Sequence, residues 1–282
     1  MAATADAPET DTLEWCGRTV AWSRRGTGPP VVLCHGTPWS SRLWEPIAAA
    51  LATDFTVHLW DIPGYGASSM HPAHAVDLGV QGRLLVDLLD HWGLDSPHVV
   101  AHDYGGAVAL RATLLHGARL ASLCLVDVVA LRPWGSDFFR LVGEHAEVFT
   151  RLPPVIHRAV VEAYVRGGAS HRGLAAAELE ELVSPWLGPV GQPAFYRQIA
   201  AADERFTAEL EPLLADLDCP THIVWAAEDT WIPVDRAHRL QRAVPGSSLT
   251  VLPAAGHLVQ LDAPAALTAE LARWLGRQAD AP

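Results

Sequence analysis

The 282-residue chain contains no lysine; all 20 of its basic side chains are arginine. Imine-forming catalysis and the phosphate-binding P-loop both need a lysine amine, so both are excluded. Charge of any kind is sparse. Only 18% of residues are charged, and 32 acidic against 20 basic groups leave a net charge of −12. A protein that tracks nucleic-acid phosphates shows the opposite balance. There are four cysteines, Cys16, Cys34, Cys124 and Cys219, and none forms a C-x-x-C pair. Cys34 and Cys124 sit inside apolar runs, which predicts buried free thiols in a reducing compartment. No apolar run approaches the roughly 18 residues that span a bilayer. Met1 to Glu14 is polar and acidic and lacks the pattern of a secretion signal. These absences predict a cytoplasmic protein with neither membrane nor nucleic-acid partners.

Apolar residues are plentiful, at 50% of the chain, enough for a sizeable core at this length. Short strand-like runs alternate with segments of helical spacing. The runs are Val31–Cys34, Phe55–Trp60, His98–Ala101 and Leu123–Val126; the helical segments are about Ser41–Leu51, Ala75–Trp92 and Gly105–His116. Such alternation predicts an α/β fold with a mostly parallel central sheet and helices on both faces. Leu13–Cys16 and Thr19–Ser23 read as an antiparallel lead-in around Gly17. The rhythm stops near Leu131 and resumes with Thr221–Ala226, a helix around Asp235–Ala243, Ser248–Leu252 and a last helix from Pro264 to about Arg277. Residues 131–205 therefore read as a helical insertion, a cap, and residues 1–130 with 206–282 as the core domain. In open sheets of this kind chemistry sits beyond the carboxyl ends of the strands.

Three segments at predicted strand ends carry candidate chemistry. In Ala101-His102-Asp103-Tyr104-Gly105-Gly106 the small residues allow a sharp strand-to-helix turn that thrusts Asp103 outward, the geometry of a nucleophile elbow. Asp229 follows the strand that ends at Ala226, and His257 follows the last strand after Gly256. Nucleophile, acid and histidine thus occur in the order of an α/β-hydrolase triad. An aspartate at a helix start also serves as an N-cap, and Asp229 could cap the helix near Pro233. Asp127, after Leu123–Val126, is the rival acid.

Four blocks, Leu33-Cys34-His35-Gly36-Thr37-Pro38, Asp61-Ile62-Pro63-Gly64-Tyr65-Gly66-Ala67-Ser68, His102-Asp103-Tyr104-Gly105-Gly106 and Gly256-His257, resemble the α/β-hydrolase superfamily. More narrowly they resemble its epoxide hydrolase and haloalkane dehalogenase branch, whose nucleophile is Asp. The resemblance implies that the backbone N–H groups of Thr37 and Tyr104 form an oxyanion hole. It also implies that His257, oriented by an acid, activates water. A carboxylate suits displacement at a saturated carbon, which gives an alkyl-enzyme ester that water can cleave. His35 reads as a turn-stabilising residue and His102 as packing.

The leaving group separates the two activities. Haloalkane dehalogenases pair a Trp after the nucleophile with an Asn or Trp elsewhere, whereas this chain has Tyr104 and Thr37 at the matching places. Epoxide hydrolases protonate the opening oxygen with cap tyrosines. Phe195-Tyr196-Arg197 looks like the block that carries one of them, which makes Tyr196 the first candidate and Tyr164 the second. Trp39, Trp134 and Trp186 either line an aromatic pocket or pack the cap on the sheet. The expectation is a cofactor-independent, metal-free hydrolase opening an epoxide on a hydrophobic small molecule. Carbon–halogen hydrolysis is the first alternative; a non-catalytic ligand binder and a biosynthetic tailoring enzyme on the same scaffold are the others. A homodimer is left open.

Overall fold

The computed structural model describes residues 8–170 and 172–279. Eight strands form one sheet: β1 (Glu9–Trp15), β2 (Arg18–Arg25), β3 (Pro30–Cys34), β4 (Thr56–Trp60), β5 (His98–His102), β6 (Ser122–Val126), β7 (Thr221–Ala226) and β8 (Ser248–Leu252). Their order across the sheet is β1-β2-β4-β3-β5-β6-β7-β8. β1 and β2 form an antiparallel hairpin and β2 joins β4 antiparallel; every pairing from β4 onward is parallel.

Burial explains why these runs became strands. β5, β6 and β7 are buried at every position, as strands covered on both faces must be. Alternate residues feed two separate cores, following the two-residue period of a strand. Val32, Cys34, Val99, Ala101, Leu123 and Leu125 belong to one core. Val31, Leu33, Val100, Cys124 and Val126 belong to the other. In the hairpin β1 is mostly exposed, while β2 is mostly half-buried with Val20 buried. Cys34 and Cys124 are buried free thiols, and Cys16 and Cys219 are also free.

The helices in chain order are α1 (Glu45–Leu51), α2 (Leu78–His91), α3 (Tyr104–His116), α4 (Asp137–Phe149), α5 (Pro154–Gly167), α6 (Ala176–Val183), α7 (Gly188–Ala200), α8 (Arg205–Ala208), α9 (Asp235–Ala243), α10 (Val259–Asp262) and α11 (Pro264–Ala279). α4 to α7 lie between β6 and β7. They rest on the loops that leave the parallel strands: the Trp186 indole N–H donates to the Pro38 carbonyl at 2.9 Å, and the Leu258 N–H donates to the Gly168 carbonyl at 2.9 Å. At α8 the chain is back against the core domain, where buried Arg111 of α3 donates to the Phe206 carbonyl at 2.7 Å. Among the described residues no helix is long and apolar enough to cross a membrane.

Trp44 leads into α1, is fully buried in the second core and donates from its indole nitrogen to the Cys34 carbonyl at 3.3 Å. Trp44→Ala is expected to cost about 3–5 kcal/mol. That loss would be read as a lower urea midpoint, and an unchanged midpoint would show that this core face does not govern stability.

Candidate active site

The carboxyl ends of β3, β5, β7 and β8 converge on one carboxylate. Asp103 stands between β5 and α3 with φ +50° and ψ −118°, a conformation that costs a residue with a side chain about 1–3 kcal/mol. The neighbours that allow the turn have no side chains to spare. A β-carbon at Gly105 would come within 2.6 Å of the Cys34 and His35 carbonyl oxygens, and one at Gly36 within 2.4 Å of the Asp103 side chain.

The two oxygens of Asp103 are not equivalent. Oδ2 accepts the Thr37 N–H at 2.6 Å, and the Tyr104 N–H also donates to the carboxylate. Oδ1 lies 3.7 Å from His257 Nε2. On its other side His257 Nδ1 donates to Asp229 Oδ2 at 2.8 Å, which leaves Nε2 unprotonated in the neutral ring and without a hydrogen-bond partner. Asp229 is fixed in turn: its Oδ1 accepts the Trp231 and Ile232 N–H groups at 2.8 and 2.9 Å. The rival Asp127 is fully buried, and its Oδ1 accepts the Ala226 N–H at 2.8 Å. It makes no hydrogen bond to His257, and burial first, then the charge of Asp229, hold its carboxyl well above the usual carboxylate range. Of the two acid candidates, Asp229 is the one bonded to the histidine.

Two further histidines build the frame. His35 accepts the Ile62 N–H on Nε2 at 2.9 Å and donates from Nδ1 to the Gly36 carbonyl at 2.8 Å, tying the loops after β3 and β4 together. His102 is more than packing: its Nε2 donates to the His257 carbonyl at 2.9 Å, and the two rings lie 4.8 Å apart.

The cap side chains depart from expectation. Tyr196 is fully buried, and its hydroxyl lies 2.9 Å from His157 Nδ1. Because His157 Nε2 donates to the Trp186 carbonyl at 2.8 Å, Nδ1 is the acceptor and takes the Tyr196 proton. The hydroxyl expected as leaving-group donor is therefore engaged inside the cap. Tyr164 is linked to the His257 ring through Trp231. Its half-buried ring stacks on Trp231 at 4.6 Å, and Trp231 lies 4.9 Å from the His257 ring. Burial, then the charge of Asp103, then Tyr65, keep its phenol well above the usual tyrosine range.

The three expected tryptophans all lie at the seam between cap and core. Trp39 stacks on Trp231 at 5.8 Å. Trp134 meets the Tyr104 ring edge-on at 5.7 Å and bonds Thr207. Trp186 packs edge-on against Tyr65 at 5.7 Å. A narrow cleft of about 60 Å³ opens beside Trp39 and Trp186, walled by Leu43 and by Glu178, Glu181 and Leu182 of the cap. It does not reach Asp103 or His257, which are 3% and 1% exposed.

Sequence reasoning missed Tyr65, Gln198 and Trp231. Thr37 Oγ1 and the Tyr65 hydroxyl both donate to Gln198 Oε1, at 2.6 and 2.9 Å. Tyr65 lay within a quoted block but carried no role; Gln198 and Trp231 gave no signal beyond their residue types.

A sequence profile of the alpha/beta hydrolase family matches residues 31–271. The chain belongs to that family. Among curated relatives, haloalkane dehalogenase 2 of Mycobacterium tuberculosis is 27% identical over 269 residues, covering 89% of each chain. Among solved structures, an alpha/beta hydrolase fold protein from Burkholderia ambifaria superposes with a TM-score of 0.89 at 43% identity, covering 93% of this chain and 96% of that one. A thermophilic esterase from Thermogutta terrifontis superposes with a TM-score of 0.79 at 25% identity, covering 97% and 99%.

The electrostatics of this alpha/beta hydrolase follow from burial and mutual charge. Burial pushes the Asp103 carboxyl up, while His257 and the Tyr104 and Thr37 N–H groups pull it down; it settles at about 6. It is thus ionised at neutral pH. Burial opposes an imidazolium at His257, but the charge and hydrogen bond of Asp229, with Asp103 and Asp127 behind, outweigh it and raise the ring to about 9. A raised histidine contributes stability that is complete below its unfolded value of 6.5 and lost as pH rises through about 9. Asp103 shifts stability only between 3.8 and about 6, outside that window. The urea midpoint is therefore expected to fall between pH 6.5 and 9, and His257→Gln is expected to flatten the fall. Equal slopes in the two proteins would contradict the assigned ion pair.

Proposed function

We propose that this hydrolase displaces a leaving group from a saturated carbon through an alkyl ester on Asp103. The observation that carries the reading is the asymmetry of that carboxylate. Oδ2 accepts the Thr37 N–H, the Tyr104 N–H donates to the same carboxylate, and Oδ1 faces the partnerless Nε2 of His257. Oδ1 attacks carbon as the bond to the leaving atom breaks. Esterification removes the Asp103 charge, one of those that hold the ring protonated; His257 then sheds its proton to solvent, and the neutral ring deprotonates the water that adds to the Asp103 carbonyl carbon. The negative charge forms on Oδ2, where the Thr37 N–H already points, and a preorganised donor of this kind is worth about 3–4 kcal/mol. Collapse releases the product alkoxide, which takes its proton from His257, while Asp229 holds the ring in the required tautomer.

The preferred substrate is an epoxide on a small hydrophobic molecule, and Tyr164 supplies the proton to the opening oxygen. Its phenol stays protonated beside Asp103 and still donates a strong hydrogen bond. Carbon–halogen cleavage is the second reading. It is favoured by the 27% identity to haloalkane dehalogenase 2 across 89% of both chains and by the engagement of Tyr196 with His157. A halide needs no proton to depart.

Single turnover in heavy-oxygen water is expected to place the label in Asp103 and not in the product, since the product oxygen comes from Oδ1. Label in the product with none in the peptide would replace the ester with direct attack by water. Tyr164→Phe is expected to slow epoxide opening about 100-fold and to leave cleavage of an alkyl bromide near the wild-type rate.

A further inference from the structure

Gln198 is a cap residue, 2% exposed, whose amide is half satisfied. Its oxygen accepts two hydroxyl donors, Thr37 Oγ1 at 2.6 Å and Tyr65 at 2.9 Å. Its nitrogen is buried and has no partner. A buried donor left unpaired costs about 1–3 kcal/mol, and the hydrogen bonds to Thr37 and Tyr65 use only the amide oxygen, so they do not account for the nitrogen. The amide also sits one residue from the chemistry. Thr37, which holds its oxygen, gives its own N–H to Asp103 Oδ2 at 2.6 Å. The Tyr104 hydroxyl is likewise buried without a partner, and burial first, then the charges of Tyr65 and Asp103, keep it protonated.

We infer that Gln198 Nε2 donates a hydrogen bond to the atom that departs from carbon as Asp103 attacks. The inference rests on the ester reading and adds to it a catalytic residue delivered by the cap. Tying Oε1 to two hydroxyls fixes the amide plane, so Nε2 is presented without a further entropic cost at the moment of reaction. The departing atom is an acceptor that gains negative charge, an alkoxide oxygen or a halide. A primary amide stabilises either without losing its proton. For an epoxide the proton comes from Tyr164, as above.

The test uses the full chain in a His257→Gln background, in which the ester accumulates and is followed as added mass on the Asp103 peptide. The probes are styrene oxide and the series 1-chloro-, 1-bromo- and 1-iodobutane. Gln198→Met removes both amide functions. Gln198→Glu, studied at pH 8.5, keeps the acceptor for Thr37 and Tyr65 and removes the N–H donors. Both are expected to slow ester formation about 100-fold, with the largest loss for the poorest leaving group, chloride. Styrene oxide alone forming the adduct identifies the departing atom as oxygen; the halobutanes alone, as halide. Ester formation that is unchanged, slowed equally across the halide series, or slowed only by Gln198→Met overturns the donor role and leaves the ester reading intact. If no probe adds mass to the Asp103 peptide while the wild-type protein turns that probe over, the ester reading fails and this inference with it.

Discussion

The site depends on one short grip, the Thr37 N–H on Asp103 Oδ2 at 2.6 Å. It can form only because Asp103 adopts a left-handed backbone and because Gly36 leaves no atom between the two loops. The strain at residue 103 and the missing side chain at residue 36 are two sides of one constraint. The carboxylate must stand clear of the helix that follows it and still touch the loop after β3. His35 closes the arrangement from behind by joining that loop to the one after β4.

The histidine arm is built on the same plan, with rigid backbone contacts behind each reacting atom. Asp229 spends one oxygen on two N–H groups and the other on His257. His102 fixes the His257 main chain. The elbow strand thus supports both ends of the pair, since His102 and Asp103 are adjacent and serve opposite partners. Asp127 lies beyond this frame. It is engaged with the Ala226 N–H on the neighbouring strand, and a second ionised carboxylate beside Asp229 would carry a like-charge penalty.

The core was legible because each parallel strand is a short apolar run that both faces of the sheet require, ended by a loop residue. The run at Thr221–Ala226 is the strand β7, and Ser248–Leu252 is β8. The elbow was legible because only small residues permit the turn. The cap was not. In α7, Tyr196 and Gln198 are two residues apart, about 200° around the helix. They therefore look in opposite directions, and local sequence does not say which one faces the core. Tyr196 turns inward to His157, whose role depends on a carbonyl 29 positions away, while Gln198 turns toward Thr37. Such choices are made by tertiary packing, and a helical period alone cannot make them.

Two tethers bind the insertion to the loop after β3: the indole of Trp186 on the Pro38 carbonyl and the amide of Gln198 on the Thr37 hydroxyl. Residues 37 and 38 thereby belong mechanically to the roof as much as to the floor. The insertion therefore grips the side chain and carbonyl of the same two-residue stretch whose N–H grips Asp103 Oδ2, so the shape of that loop is set jointly from above and below.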